Sequence, residues 1–162
     1  MIKTGSMEVS GNTSLSFSDT KLDPDKGSAI KSKTTVFNVD GLYYLMDNLG
    51  VGALIQYVNN DVQGPGDNSS TLIGPVVKFH IPIENNLNAF LRGSIDYISM
   101  DVGTDSGTGW GGLVGAGLAY FPNDWASVNC GVDYTYGKVD FSPPKITATD
   151  LSVAVGFSVY FK

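Results

Sequence analysis

The chain has 162 residues, which is room for one domain spanning residues 1–162. Charged residues make up 16% of the chain, against about 25% in an ordinary soluble domain. The net charge of -6 argues against a nucleic-acid-binding surface, and a single cysteine excludes an internal disulfide. With 42% apolar residues and 20 glycines, the composition argues against both a disordered chain and a helical bundle.

The first strand is predicted over residues 6–18. Even positions, beginning with Ser6 and Glu8, are polar, whereas the odd positions from Met7 to Phe17 are mainly apolar. Alternation with a period of two is typical of a β-strand that has one polar and one apolar face. Residues 49–57, 126–136 and 151–161 show the same alternation, so we expect strands of this kind throughout the chain.

Tight turns and polar loops alternate along the sequence. Turns are predicted at Asp47-Asn48, Asn85-Asn86 and Asn123-Asp124, spaced 38 residues apart. Residues 19–31, 59–70, 99–109 and 137–147 are rich in turn-forming residues and predict longer loops. Two strands per repeat give eight strands of about twelve to fourteen residues, longer than the five or six usual in soluble proteins.

The polar side of these strands carries mostly small residues, and aromatic residues gather at two levels near the strand ends. In a soluble barrel the apolar side points inward, and in a membrane barrel it points outward. Long strands, small polar side chains and two aromatic levels favour the membrane. The predicted aromatic girdle contains Tyr43, Tyr57, Tyr97, Tyr120, Trp125 and Tyr134.

The chain ends on a glycine followed by apolar residues at alternating positions and a terminal aromatic: Gly156, Phe157, Val159 and Phe161, with Lys162 trailing. This segment resembles the C-terminal assembly signal of the small eight-stranded outer-membrane β-barrel family of bacteria, the relatives of the transmembrane domain of outer-membrane protein A. Residues 72–76 and 115–121 are also similar to this family.

The resemblance implies an all-β fold, an eight-stranded antiparallel up-and-down transmembrane β-barrel in the bacterial outer membrane. It also implies loops outside the cell and short turns in the periplasm. The implied partners are outer-membrane lipid, lipopolysaccharide and the barrel-assembly machinery, for a protein that is a monomer. Gly156, Val159 and Phe161 are the implied assembly signal.

If the polar faces point inward, charged side chains meet in the lumen. Lys78 and Arg92 are expected at similar heights on adjacent strands, and two neighbouring buried cations need anions. We expect Arg92 to pair with Asp96, Asp40 or Glu8. The lumen is either a structural network or an ion path, and the narrowness of an eight-stranded barrel favours the network. Its predicted members are Glu8, Asp40, Lys78, Arg92, Asp96 and Asp133.

No pattern in the sequence predicts a catalytic residue, a metal ligand or a cofactor. His80, the single histidine, has no nucleophile in view. Residues 107–112 match a GxGxxG pattern but lack its strand–turn–helix context. Residues 23–27 resemble the start of a calcium loop, but Thr34 stands where that loop needs glutamate.

We therefore expect an integral outer-membrane protein that is not an enzyme, with a structural role in the envelope and long surface-exposed loops. One alternative is a narrow pore that conducts ions through the lumen. A second alternative, from another class, is a soluble barrel that binds an apolar ligand inside.

Overall fold

The computed structural model describes residues 2–18, 33–61, 68–102, 105–140 and 145–162. Its strands are β1 (Met7–Ser18), β2 (Lys33–Met46), β3 (Leu49–Asp61), β4 (Asn68–Glu84), β5 (Leu87–Val102), β6 (Asp105–Asn123), β7 (Ala126–Asp140) and β8 (Lys145–Phe161). Each strand pairs antiparallel with the next in chain order. Among the described residues, no helix is long and apolar enough to cross a membrane.

The barrel closes because β1 also pairs with β8. Their register runs from Met7 opposite Phe161 to Ser18 opposite Asp150. A closed sheet has no unpaired edge, and this is the only way for strands to cross a bilayer with their backbone groups satisfied. The predicted eight-stranded, antiparallel up-and-down barrel is confirmed.

Apolar side chains point away from the barrel axis, and polar side chains point into the lumen. On β5, for example, Leu91 and Ile95 are exposed whereas Arg92 and Asp96 are buried. This is the orientation of a membrane barrel and the opposite of the one that the soluble-barrel alternative requires.

The outward face carries a continuous band without charge. Between the short turns and the opposite ends of the strands, none of the described outward-pointing side chains is charged. Along β7, for example, the band runs from Val128 to Tyr136 and ends at Lys138. A band of this kind matches the hydrocarbon layer of a bilayer.

The strands extend further than the sequence indicates. They contain 12 to 19 residues, and most of the loop predicted over residues 99–109 is paired strand, with Val102 opposite Asp105. Strands also enter the loops predicted over residues 59–70 and 137–147, whereas residues 19–31 lie outside the described part of the chain. Turn-forming composition was misleading here because these segments continue the cross-strand pairing of the barrel, and context of this kind overrides the weak strand propensity of single residues.

Two of the three predicted turns are confirmed, at residues 47–48 and 85–86. The third lies one residue later than predicted, at residues 124–125, because β6 continues through Asn123. A register shift precedes this turn, between Tyr120 and Asn123, as one also precedes the other two turns. The Asn123 side chain then accepts a hydrogen bond of 3.1 Å from the Trp125 backbone, which closes the turn.

We predict that a charge is tolerated on the outward face only near its ends. Val132 lies midway along the uncharged band of β7, so Val132→Lys should lower the free energy of unfolding in lipid vesicles by about 2–4 kcal/mol. Thr147 points outward at the loop end of β8, and Thr147→Lys is the control, with an expected loss of about 0–1 kcal/mol. Urea titration measures both values, and equal losses would contradict the membrane placement.

Candidate functional site in the barrel lumen

The structure buries all six residues of the predicted lumen network. Their exposed fractions lie between 0% for Glu8 and 7% for Arg92. They come from β1, β2, β4, β5 and β7, at the inward-pointing positions of the alternation. Lys78 and Arg92 are direct register partners on β4 and β5, which places the two cations side by side as the sequence suggested.

Glu8 is the anion beside Lys78. The Lys78 ammonium donates a 2.6 Å hydrogen bond to Glu8 Oε1, and the Ser158 hydroxyl donates to the same oxygen at 2.8 Å. The Tyr44 hydroxyl donates to Glu8 Oε2, and His80 Nε2 lies 3.7 Å from that oxygen. Three donors from three other strands therefore hold one carboxylate, which is the arrangement that makes a buried charge tolerable.

Arg92 forms the second ion pair, and its main partner is Asp133. Arg92 Nε donates to Asp133 Oδ1 at 2.9 Å and NH2 donates to Oδ2 at 2.5 Å, a two-pronged contact of the strong kind. Asp40 lies further away, with Oδ1 3.9 Å from Arg92 NH1, and accepts a 2.5 Å hydrogen bond from Ser10. Of the three partners expected for Arg92, only Asp40 lies nearby, without a hydrogen bond. The hydrogen-bonded partner is Asp133, which was not among the three.

A glycine makes the Arg92–Asp133 contact possible. Gly115 lies between the two residues in the register, opposite Arg92 on β5 and Asp133 on β7. A Cβ atom built on Gly115 would overlap Asp133 Oδ1 and come within 3.2 Å of Arg92 Cγ. The absent side chain leaves the space through which the two partners meet across β6.

Asp96 lies in the lumen but has no cation among the described residues. Ser94 donates a 2.7 Å hydrogen bond to its Oδ2, and Oδ1 has no hydrogen-bond partner in the described part of the chain. The expected pairing with Arg92 therefore does not form, although both residues point inward from β5. The contact is absent because Arg92 turns toward β7.

Apolar side chains close the lumen on both sides of this network. At the end with the short turns, a short-turn cluster packs around Tyr44 and is joined by Phe121. At the opposite end, a loop-end cluster packs Leu72 and Ile98 with partly buried neighbours. The buried members of the short-turn cluster are Ile2, Leu42, Tyr44, Leu54, Val76 and Tyr160, and those of the loop-end cluster are Leu72, Ile98 and Val139.

The N-terminal segment forms part of the short-turn closure. Ile2 enters the lumen, and its backbone N–H donates to the Asn48 side chain at 3.1 Å. The Asn48 N–H in turn donates to the Ile2 carbonyl at 3.0 Å. Asn48 has a φ of 66°, a left-handed conformation that asparagine adopts more easily than most residues. The turn between β2 and β3 is thereby shaped to hold this segment.

Asp47 binds the same N-terminal segment through hydrogen bonds outside the lumen. Its Oδ1 accepts hydrogen bonds from the Thr4 backbone at 2.9 Å and the Thr4 hydroxyl at 3.0 Å. These hydrogen bonds, with a smaller contribution from Lys3, lower the pKa of the Asp47 carboxyl. This stabilisation of the folded chain is fully present above the pKa that the Asp47 carboxyl has in the unfolded chain. It is lost as the pH falls through the lower pKa of the same carboxyl in the folded chain.

The predicted girdle residues all point outward, with exposed fractions between 40% and 59%. Tyr43, Tyr120 and Trp125 lie near the short turns, and Tyr57, Tyr97 and Tyr134 lie toward the loop end. Phe161 also points outward at the end of β8, while Gly156 faces Asn12 in the lumen, where a Cβ would overlap the amide. The use of Gly156, Val159 and Phe161 as an assembly signal stays a prediction.

Several residues of the lumen were not identified from the sequence. Tyr44 and His80 are both fully buried beside Glu8, and Ile2 lies in the short-turn cluster. The alternation of β2 and β4 indicates that Tyr44 and His80 point inward. Tyr44 lies four residues after Asp40, and His80 lies two residues after Lys78. No signal in the sequence indicates that Ile2 folds back into the barrel.

We predict that breaking the Arg92–Asp133 pair is costly and that removing both charges is not. Arg92→Met leaves a buried carboxylate without its partner and should destabilise the barrel by about 3–5 kcal/mol. Asp133→Leu should have a similar effect, whereas the double variant Arg92→Met/Asp133→Leu should lose much less than the sum. Denaturant titrations in detergent measure the free energies of unfolding of the wild type and the three variants, from which the coupling energy between Arg92 and Asp133 follows.

The matched control is Lys3→Met, which removes an exposed ion pair with Asp47 and should change little. Additive losses from Arg92→Met and Asp133→Leu in the double variant would contradict the pairing.

Comparisons with known proteins agree with this architecture. Residues 4–159 match the family described as outer membrane protein beta-barrel domain. No curated protein matches the chain by sequence. Neisserial surface protein A has a similar structure, with a TM-score of 0.76 and 18% identity, covering 97% of this chain and 99% of its own.

Two further solved structures are similar. The N-terminal β-barrel domain of OprF from Pseudomonas aeruginosa has a TM-score of 0.63 at 13% identity, covering 98% of each chain. The attachment invasion locus protein Ail of Yersinia pestis has a TM-score of 0.57 at 17% identity, covering 98% of this chain and 99% of its own. At these identities the likeness shows the fold alone. The family match over nearly the whole chain shows that the protein belongs to the outer membrane β-barrel proteins and is located in the bacterial outer membrane.

Proposed function

We propose that this protein is a non-conducting barrel with a structural role in the outer membrane, and that it acts through its outer surface rather than its lumen. The observation that supports this role most strongly is the pair of buried ion pairs in the lumen, which lie between two clusters of apolar side chains. An eight-stranded barrel is just wide enough for side chains to fill, and here large side chains and paired charges occupy that width.

The ion pairs would obstruct the middle of the lumen. Lys78 and Arg92 extend from one wall, and their carboxylate partners Glu8 and Asp133 come from β1 and β7. The Lys78–Glu8 contact spans two intervening strands, and the Arg92–Asp133 contact spans β6. Both contacts are made by side chains inside the lumen. An ion that passes would have to separate buried pairs, which costs several kcal/mol for each pair opened, on the order of 3–5.

Features of the described residues also support a role without catalysis. His80 is fully buried, and neither ring nitrogen has a hydrogen-bond partner in the described part of the chain. A histidine that activates a nucleophile needs a hydroxyl or thiol within hydrogen-bond reach. Cys130 is exposed on the lipid-facing side of β7, away from the histidine.

A narrow pore is the second candidate, and one observation favours it. Several buried oxygens in the lumen have no hydrogen-bond partner among the described residues, including Ser14 Oγ, Asn38 Oδ1, Asp40 Oδ1, Gln56 Oε1 and Asp96 Oδ1. Buried acceptors without protein partners are uncommon, and oxygens that line an interior attract cations. If the lumen conducts, we expect it to prefer cations for this reason.

Single-channel recording in planar bilayers separates the two candidates. The wild type should show no steady conductance, because both closures and both ion pairs obstruct the path. Ile2→Gly weakens only the short-turn closure, so it too should remain silent, while Lys3→Met serves as a control at the same end. Steady wild-type conductance, with an ion preference that changes in Arg92→Met, would overturn the proposed role and establish the pore.

A further inference from the structure

Asp96 carries a charge in the lumen that the described side chains do not balance. The lumen network contains four carboxylates and two cations. Glu8 and Asp133 each accept a hydrogen bond from a cation, and Asp40 Oδ1 lies 3.9 Å from Arg92 NH1. Asp96 has an exposed fraction of 0% and forms no ion pair with a described residue. A buried charge without a counter-ion is costly, so we expect this carboxylate to be neutralised by another group.

Three further lumen oxygens on the loop side of the ion pairs also lack a partner. Ser14 Oγ, Asn38 Oδ1 and Gln56 Oε1, like Asp96 Oδ1, have no hydrogen-bond partner in the described part of the chain. All four residues are more than nine-tenths buried, and we call them the oxygen layer. Together they offer hydroxyl, amide and carboxylate oxygens, which are the ligand types that hard cations prefer.

The strand register places the three neutral oxygens side by side. Asn38 and Gln56 are direct partners on β2 and β3. Ser14 on β1 is opposite Val36, which is the next inward position of β2 after Asn38 toward the loops. Leu72 of the loop-end cluster is the partner of Gln56 on β4. The three oxygens therefore come from adjacent strands, next to the apolar loop-end cluster.

Asp96 reaches the same part of the lumen across a glycine. A Cβ atom built on Gly74 of β4 would lie 2.6 Å from Asp96 Oδ1, so the carboxylate leans over this strand toward β3. On β3, Gln56 lies one inward position beyond the residue opposite Gly74. Along β5, Asp96 lies between Arg92 and Ile98 of the loop-end cluster. The tilt of strands in a closed barrel brings the carboxylate and the amide to similar heights.

We propose that the oxygen layer binds one monovalent cation, for which Na⁺ is the probe, and that Asp96 supplies the balancing charge. The amide and hydroxyl oxygens would replace part of the hydration shell of the ion. No three His, Cys, Asp or Glu side chains of the described chain are grouped to hold a metal, so the donor set matches a single positive charge better than a divalent ion.

Water alone does not account for this layer. Water molecules would satisfy the hydrogen-bonding capacity of the oxygens, but they would leave the charge of Asp96 unbalanced. An ion held between the ion pairs and the loop-end cluster is resident rather than in transit. The proposal therefore goes beyond the structural role proposed above, and it differs from the pore candidate, which needs an ion that passes through.

The test is the dependence of folding on Na⁺ at constant ionic strength. The protein is unfolded and refolded with urea in neutral detergent at neutral pH, with choline, which is too large for the layer, in place of Na⁺. The chain passes through its unfolded state, so a closed lumen does not prevent uptake of the ion. Above the dissociation constant, between about 1 and 100 mM Na⁺, each tenfold increase should lower the unfolding equilibrium constant about tenfold, the linkage expected for one bound ion.

Variants assign the effect to the oxygen layer. Asp96→Asn keeps the shape of the side chain but not its charge, and it should abolish the dependence on Na⁺. Gln56→Leu keeps the charge and removes one ligand, so the dependence should begin at about tenfold higher Na⁺. The matched control is Asp47→Asn, which removes an exposed carboxylate outside the lumen and should retain the Na⁺ dependence of the wild type.

Three outcomes would overturn the proposal. Equal unfolding constants in Na⁺ and choline would mean that a proton or water alone accompanies Asp96. A wild-type dependence in both Asp96→Asn and Gln56→Leu would place the ion elsewhere, and stabilisation by Ca²⁺ without any by Na⁺ would contradict the single charge. None of these outcomes depends on conductance, so failure here leaves the test of the obstructed lumen intact.

Discussion

Charges buried in a narrow, closed lumen must be paired within the protein, and this constraint organises the rest of the structure. Glu8 accepts hydrogen bonds from Lys78, Tyr44 and Ser158, and Asp133 accepts two from Arg92. Lys78 and Arg92 reach carboxylates on strands that are not adjacent to their own, whereas Tyr44 and Ser158 come from the two neighbours of β1. The network therefore links several strands of the barrel through the lumen. Because lipid is as apolar as the outward side chains, the hydrophobic effect does not favour contacts on that face, and the polar contacts in the lumen supply specific interactions between side chains.

The same constraint connects the interior to the outer surface. Because the polar side chains are needed inside, the outward positions are free to be apolar, and the uncharged band follows from the alternation of the strands. Charge returns on the outward face only beyond this band, as at Lys138. The polar interior and the lipid-facing exterior are thus two results of one sequence pattern. A role exerted through the surface is consistent with both.

Alternation made the faces predictable, but it did not make the contacts predictable. The inward position of Arg92 follows from its place among Leu91, Gly93 and their neighbours, and the outward position of Val153 follows in the same way. The partner of Arg92 depends instead on how β5, β6 and β7 are staggered, and on the space at Gly115. Stagger is a property of the closed barrel, and no single strand encodes it. The return of Ile2 into the lumen similarly depends on a turn conformation at Asn48 and on a distant wall of the barrel.

The contact between Lys78 and Glu8 tests this account most directly. Solid-state NMR of the protein in lipid bilayers, with labelled lysine nitrogen and glutamate carboxyl carbon, measures whether the two groups touch. The structure places Lys78 Nζ 2.6 Å from Glu8 Oε1, so a strong dipolar coupling and an ammonium that exchanges slowly with water are expected. A Lys78 ammonium with no coupling to Glu8 and rapid exchange with water would contradict a lumen closed by paired charges.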